Sequence, residues 1–183
     1  MSFRTNFILQ SISTMSWTIM NVGFYLIVFQ FTENIGVGSS GWGKYQFFVF
    51  LSTTWIINSI IQTFFMPNAQ EFSELIRTGN FDFALLKPID TQFIISFPRI
   101  DWSSLSTCMM GIGLMSYSLH QLMVVADEPL VLAWPVFFLY PLYLVCGVAI
   151  MYSVMISLAA TSVWFGRNQT LYNFWFYLTN FSR

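Results

Sequence analysis

Residues 45–66 read YQFFVFLSTTWIINSIIQTFFM and carry no charged side chain. A helix needs about 20 mostly apolar residues to cross the hydrocarbon core of a bilayer, so this stretch is read as a membrane span. Directly after it comes NAQEFSELIRTGNFDFALLKPID at 68–90, with Glu71, Glu74, Arg77, Asp82, Lys87 and Asp90. The whole chain has only seven basic and eight acidic residues. An uncharged span followed at once by a charge-rich insert decides the fold, and the rest of the chain follows from it.

The remaining sequence has the same apolar character. Of 183 residues, 56% are hydrophobic and 8% charged, against roughly 25% charged in ordinary soluble domains. Aromatic residues make up 20%, including 21 Phe and 7 Trp. Such a chain has too little polar surface to cover a water-soluble globule, so lipid is the expected solvent. The net charge of −1 offers no polybasic surface for nucleic acid or anionic lipid.

Four segments qualify as spans: 12–32, 45–66, 103–125 and 133–163. The fourth carries Pro135 and Pro141 and, at about 30 residues, is short for two crossings and a turn; one tilted or kinked helix is expected. The N-terminal MSFRTNFILQ runs on into apolar sequence without a small-residue cleavage site, unlike a secretory signal. The expected fold class is therefore all-α: a polytopic helical membrane protein with four predicted spans in a single transmembrane domain over 1–183.

Basic residues favour the cytoplasmic side of a membrane. Arg4 precedes the first span, Arg77, Lys87 and Arg99 lie between the second and third, and Arg167 and Arg183 follow the fourth. The loops at 33–44 and 126–132 hold Glu33, Asp127, Glu128 and one lysine, Lys44. This places both termini and the 67–102 loop in the cytoplasm. Trp17, Trp42, Trp102, Trp134 and Trp164 lie near the predicted span boundaries, as an aromatic belt requires.

Polar residues inside the spans are patterned. Thr54, Asn58 and Gln62 recur every four residues and share one helical face. Hydrogen bonding between helices is one use of such a face; a wet, pathway-facing surface is the other. Ser103, Thr107 and Gly111 form one small-residue stripe, and Ala149, Ser153, Ser157 and Thr161 another. Both are read as close-packing seams. Cys108 and Cys146 lie in apolar segments without CxxC spacing and read as buried free thiols.

Motifs with apparent chemistry dissolve on inspection. GSSGWGKY at 38–45 has Gly38, Gly43 and Lys44 at phosphate-loop spacing, but Tyr45 stands where a magnesium-binding Ser or Thr is needed and no strand precedes it. It reads as a glycine-rich turn with Trp42 at the membrane interface. His120, the single histidine, has no metal-binding or catalytic partners at useful spacing. The sequons at Asn168 and Asn180 fall on the cytoplasmic side of the expected topology. No catalytic, cofactor-binding or metal-binding constellation emerges, so the chain is not expected to be an enzyme by itself.

The insert reads as an amphipathic helix over 68–79. Asn68 and Glu71 have capping-box spacing, Phe72, Leu75 and Ile76 share a face, and Gly79 suits the position that ends a helix. Such a helix could lie flat on the inner leaflet or dock a cytoplasmic protein. Interfacial helices favour Lys and Arg on the polar face, so its excess of acids favours docking.

The run SELIRTGNFDFALLKPID, followed by PRIDW, resembles the cytoplasmic loop of bacterial ABC export permeases of the type-2 class. The matching positions are Ser73, Ile76, Arg77, Gly79, Phe81, Asp82, Leu85, Leu86, Lys87 and Pro88. Weaker similarity appears at Phe3-Arg4, Gly41-Trp42 and Phe165-Gly166-Arg167. The resemblance implies a permease subunit of an ATP-driven exporter in the bacterial inner membrane, paired with a second permease subunit as a homo- or heterodimer. The chain would bind no cofactor, since ATP and Mg belong to a separate ABC ATPase. The 67–102 loop would supply the coupling helix, with Glu71, Phe72, Glu74, Leu75, Ile76, Arg77, Asp82 and Lys87 meeting that ATPase and Thr54, Asn58 and Gln62 facing the pathway. Family members have six spans, the last two following a Tyr-Pro pair, so this chain would be a permease lacking those two. The alternative is a non-transporting membrane anchor that recruits a cytoplasmic protein through the same 68–88 helix.

Overall fold

The structure, a computed structural model, describes residues 2–36, 41–86, 93, 99–125 and 133–161. Helix α1 (Ser2–Phe31) is followed by a short hairpin of β1 (Asn34–Ile35) and β2 (Trp42–Gly43). Helix α2 (Lys44–Ile60) passes through a π turn, Ile61–Phe65, into α3 (Met66–Arg77), and α4 (Phe81–Leu85) follows. A 3₁₀ turn, Trp102–Ser104, opens α5 (Leu105–His120), which continues as a π turn, Gln121–Val125. The last described element is α6 (Val136–Ala160).

Phe7–Phe31, Lys44–Ile76 and Val136–Ala160 are long and apolar enough to cross a membrane. The predicted 103–125 span is built as α5, of 16 residues, and its five-residue π turn. Residues 133–161 do not fold back on themselves: α6 is one helix of 25 residues with Pro141 inside it. The first helix begins at Ser2, well before the predicted position 12. Trp17, expected at a boundary, therefore sits mid-helix and is exposed.

Helix α1 presents one stripe to the bundle. Ser11, Thr14, Thr18, Val22, Tyr25 and Phe29 are its inward positions, recurring every three or four residues as a single helical face requires. Phe7, Ile12, Phe24 and Ile27 remain exposed. In water such a surface would aggregate, but in lipid it is ordinary solvent contact.

At the hairpin end, Phe48, Leu51 and Trp55 of α2 form a core covered by Val22, Tyr25 and Leu114. Tyr25 and Phe47 pack with ring centroids 4.7 Å apart. The hairpin pairs Asn34 with Gly43 and Ile35 with Trp42, and the Gly43 amide donates to Gln46 Oε1 at 3.2 Å. In the GWGKY part of the phosphate-loop lookalike, Trp42 and Gly43 form β2 and Lys44 and Tyr45 open α2, with Lys44 Nζ 5.4 Å from the centroid of the Tyr45 ring; Gly38, Ser39 and Ser40 lie outside the described residues. At the other end, Ile61, Ala69, Met155 and Ala159 form a second core joining the π turn, α3 and α6.

Apolar burial gives little drive for helix association in lipid, so close packing and hydrogen bonds decide the seams. Ser103, Thr107 and Gly111 form such a seam and all are buried. A Cβ on Gly111 would come within 3.1 Å of Ile56 Cγ1 and 3.3 Å of the Ser52 carbonyl. The second small-residue stripe behaves differently from the expectation. Ala149, Ser153 and Ser157 face outward, and their hydroxyls turn back onto their own helix: Ser153 donates to Ile150 O and Ser157 to Ser153 O, both at 2.8 Å. The inward face of α6 carries Met155 and Ala159 instead. Cys146 is exposed and Cys108 half-buried, so neither thiol is fully buried.

Candidate functional site

The charged insert does not begin a new helix. Together α2, its π turn and α3 run from Lys44 to Arg77 as one rod, about 50 Å long at 1.5 Å per residue. A hydrocarbon core is about 30 Å thick, so an upright rod of this length would exceed it by roughly 20 Å. The join is made at Pro67, in the first turn of α3. Proline has no N–H to give to the carbonyl four residues back and its ring crowds that group. The carbonyl concerned is that of Thr63, inside the π turn, and it accepts the Asp101 amide at 2.9 Å.

This substitution of partners opens a ladder between the rod and residues 99–104. Ser59 Oγ donates to Ser104 O at 2.9 Å. Asn68 is 1% exposed; its Nδ2 donates to Arg99 O and its Oδ1 accepts the Arg99 amide, both at 2.8 Å. Asn68 Nδ2 also reaches Phe64 O at 2.5 Å. The predicted helix cap at Asn68 is therefore absent: the residue lies inside a continuous helix and imitates a peptide group for a neighbouring strand of chain. Glu71, the other half of the predicted capping box, pairs with Arg99 at 2.8 Å between Nε and Oε2. That contact lacks hydrogen-bond alignment, so charge alone holds it.

Magnitudes rank these contacts. The Arg99 side chain is 67% exposed, and exposed ion pairs contribute about 0–1 kcal/mol. Removing one partner of a buried hydrogen bond costs about 1–3 kcal/mol. Asn68 is accordingly the main fastening and Glu71 a lesser one. Asp101 completes the ladder at the entry to α5: its carboxylate accepts the Ser103 amide at 3.0 Å, Ser103 Oγ at 2.6 Å and Ser104 Oγ at 3.2 Å.

Beyond the ladder, α3 ends as the sequence indicates. Gly79 has φ +72, the left-handed conformation that glycine adopts without penalty. The Gly79 amide bonds Ile76 O at 3.1 Å and the Asn80 amide bonds Leu75 O at 3.0 Å, the paired pattern of a Schellman cap. The chain turns there into α4, and Phe72 and Phe81 close the angle edge to face at 5.3 Å.

The residues expected to meet an ATPase separate into two groups. Glu71 is ion-paired within the chain, and Phe72 packs on the core formed by Ile61, Ala69, Met155 and Ala159. Leu75 and Ile76 are half-buried, while Glu74 and Asp82 are exposed. Arg77 closes α3, with its side chain outside the described residues, as is all of Lys87. Among the described side chains of α4 and the residue after it, Phe83 is 70% exposed and Leu86 80% exposed. Sequence reasoning passed over those two as partner contacts, although the alternation Phe81-Asp82-Phe83 marks two opposed faces.

The Thr54, Asn58 and Gln62 face is mixed. Asn58 is buried, Thr54 and Gln62 are half-buried, and the Thr54 hydroxyl turns back to Phe50 O at 3.1 Å. A polar contact not anticipated from the sequence joins α2 to α6, where Thr53 Oγ1 lies 3.0 Å from the Tyr140 hydroxyl. His120 is exposed at the end of α5. The sequons and Arg167, Arg183, Asp127 and Glu128 lie outside the described residues.

A bundle of apolar helices, three of them long and apolar enough to cross a membrane, defines a polytopic integral membrane protein. The family model described as ABC-2 family transporter protein matches residues 14–183. The chain belongs to that family and is a permease component of an ABC transporter, a class that associates with an ABC ATPase subunit. No curated protein and no solved structure matches it.

Proposed function

We propose that this chain is the membrane-spanning permease subunit of an ATP-binding-cassette exporter, and that α3 and α4 couple it to a separate ATPase that binds ATP and Mg. The observation that carries the reading is the extension itself. Exposed Phe83 and Leu86 follow exposed Asp82, and α3 carries exposed Glu74, on a helical arm longer than the bilayer needs. Two large exposed apolar side chains with a carboxylate next to them suit the apolar centre and polar rim of a protein–protein interface. On this reading, Phe83 and Leu86 supply affinity and the acids set register. The arm and both termini face the cytoplasm of a bacterial inner membrane, and a second permease subunit completes the pathway, with Thr54, Asn58 and Gln62 as the candidate lining.

The test is co-purification from mild-detergent membranes. The wild-type chain is expected to bring down an ABC ATPase. Replacing Phe83 and Leu86 together by Ala should lower recovery by about tenfold or more, the usual size of a hot-spot loss, and reversing Glu74 and Arg77 should reduce it further. Wild-type membranes yielding no ATPase would defeat the proposal. An ATPase recovered with hydrolysis indifferent to the chain would instead support the non-transporting anchor.

A further inference from the structure

Residues 99–104 run along the rod in antiparallel register: Ser104 beside Ser59, Asp101 beside Thr63, and Arg99 beside both Asn68 and Glu71. The strap thus crosses the π turn and Pro67, where the rod's own ladder is irregular. Irregular helix is where a rod bends, and a strap fixed on both sides of that point limits bending. Its far end is the capped entry to α5, which packs on α2 through the close seam at Gly111.

We propose that the 99–104 strap makes α3, the Pro67 joint and the start of α5 a single lever, with Asn68 as its positioning residue and the Glu71–Arg99 pair as a brace. The transmitting part of the inference rests on the coupling role proposed above. A push delivered to the α3–α4 arm then reaches α2 through the chain and α5 through the strap, so both helices move together. Glu71 serves the lever from inside rather than touching the motor.

Two measurements on the full chain separate the lever from the functional reading. The first is amide exchange of the purified protein in lipid nanodiscs, which needs no ATPase. Asn68→Leu should speed exchange at residues 66–77 and 99–104 by about tenfold, the effect expected when buried hydrogen bonds open, and leave 48–56 at the wild-type rate. Glu71→Gln should do so more weakly, and the exchanged pair Glu71→Arg with Arg99→Glu should recover the protection Glu71→Gln loses. Unchanged exchange at 99–104 in Asn68→Leu would overturn the lever. Should Asn68→Leu fail to fold, Glu71→Gln and the exchanged pair decide alone: no loss, or no recovery, overturns it. The second is ATPase recovery against ATPase stimulation. Lever variants should keep recovery near wild type and lose stimulation by about fivefold or more, the lower range of allosteric coupling, whereas recovery and stimulation falling in parallel would make Asn68 a docking residue and overturn the proposal. A wild-type chain that recovers no ATPase defeats the coupling reading, and the exchange measurement then judges the strap by itself.

Discussion

Gly111 and Gly147 both face neighbouring helices but differ in what a methyl group would strike. At Gly147 the nearest atom is Ile57 Cδ1, 2.9 Å from the added Cβ, the free end of a flexible side chain that can rotate away. At Gly111 the Cβ would meet Ile56 Cγ1 at 3.1 Å and the Ser52 carbonyl at 3.3 Å, and a helix backbone does not rotate away. Gly111→Ala should therefore destabilise the α2–α5 pair by about 1–3 kcal/mol, the range for overpacking, and Gly147→Ala by less. Thermal unfolding in one detergent measures both; equal or reversed losses would show that the seam at Gly111 is not rigid. The spacing of Ser103, Thr107 and Gly111 made this seam legible, because small residues four apart share a face. The same pattern in Ala149, Ser153 and Ser157 faces outward within this chain, since a small-residue stripe records how close a helix could approach without naming a neighbour.

The end of α3 at Gly79 was legible from sequence, although the separate helix α4 beyond it was not. A glycine after an amphipathic run indicates a helix end, and Gly79 has the φ of +72 that this position needs. Gly79→Ala should cost about 1 kcal/mol for the left-handed conformation. It should loosen the bonds from residue 79 to Ile76 O and from Asn80 to Leu75 O. Amide exchange at those two positions is expected to rise by about fivefold with 48–56 unaffected; unaltered protection would mean that the left-handed turn does not hold α4 in place. The beginning of the same element was not legible. Asn68 and Glu71 have capping-box spacing, yet a cap needs free amide groups, and the continuous helix through the π turn leaves none there. Pro67 was the available signal: a proline inside a helix frees one carbonyl, and that carbonyl has to find another donor.

For the whole molecule, the arrangement of ends makes a topological prediction. The β1–β2 hairpin and the α3–α4 turn cap opposite ends of α2 and its continuation. Asn34 and Asn80 are both exposed. With Cys108 and Cys146 replaced by Ala, a membrane-impermeant maleimide should label Asn34→Cys in intact cells and Asn80→Cys only after permeabilisation. Labelling of Asn80→Cys in intact cells would invert the orientation and remove the arm from any cytoplasmic ATPase. Such a result would also contradict the distribution of Arg77, Lys87 and Arg99, on which the expected orientation rests.

Sequence alone determined that the chain is a helical membrane protein, where most of its spans run, and that a charged arm leaves the second one. Those conclusions follow from composition and periodicity, because lipid leaves a helix little choice but to be apolar for its whole crossing. Tertiary structure alone decided which side chains the arm keeps for itself. Phe72 belongs to a core shared with Met155 and Ala159, and Asn68 and Glu71 are engaged by Arg99, about thirty residues further along. Local spacing cannot register a partner that distant. The same amphipathic pattern serves a helix docked on its own bundle and one offered to another protein, and only the fold distinguishes the face that is covered from the face left open.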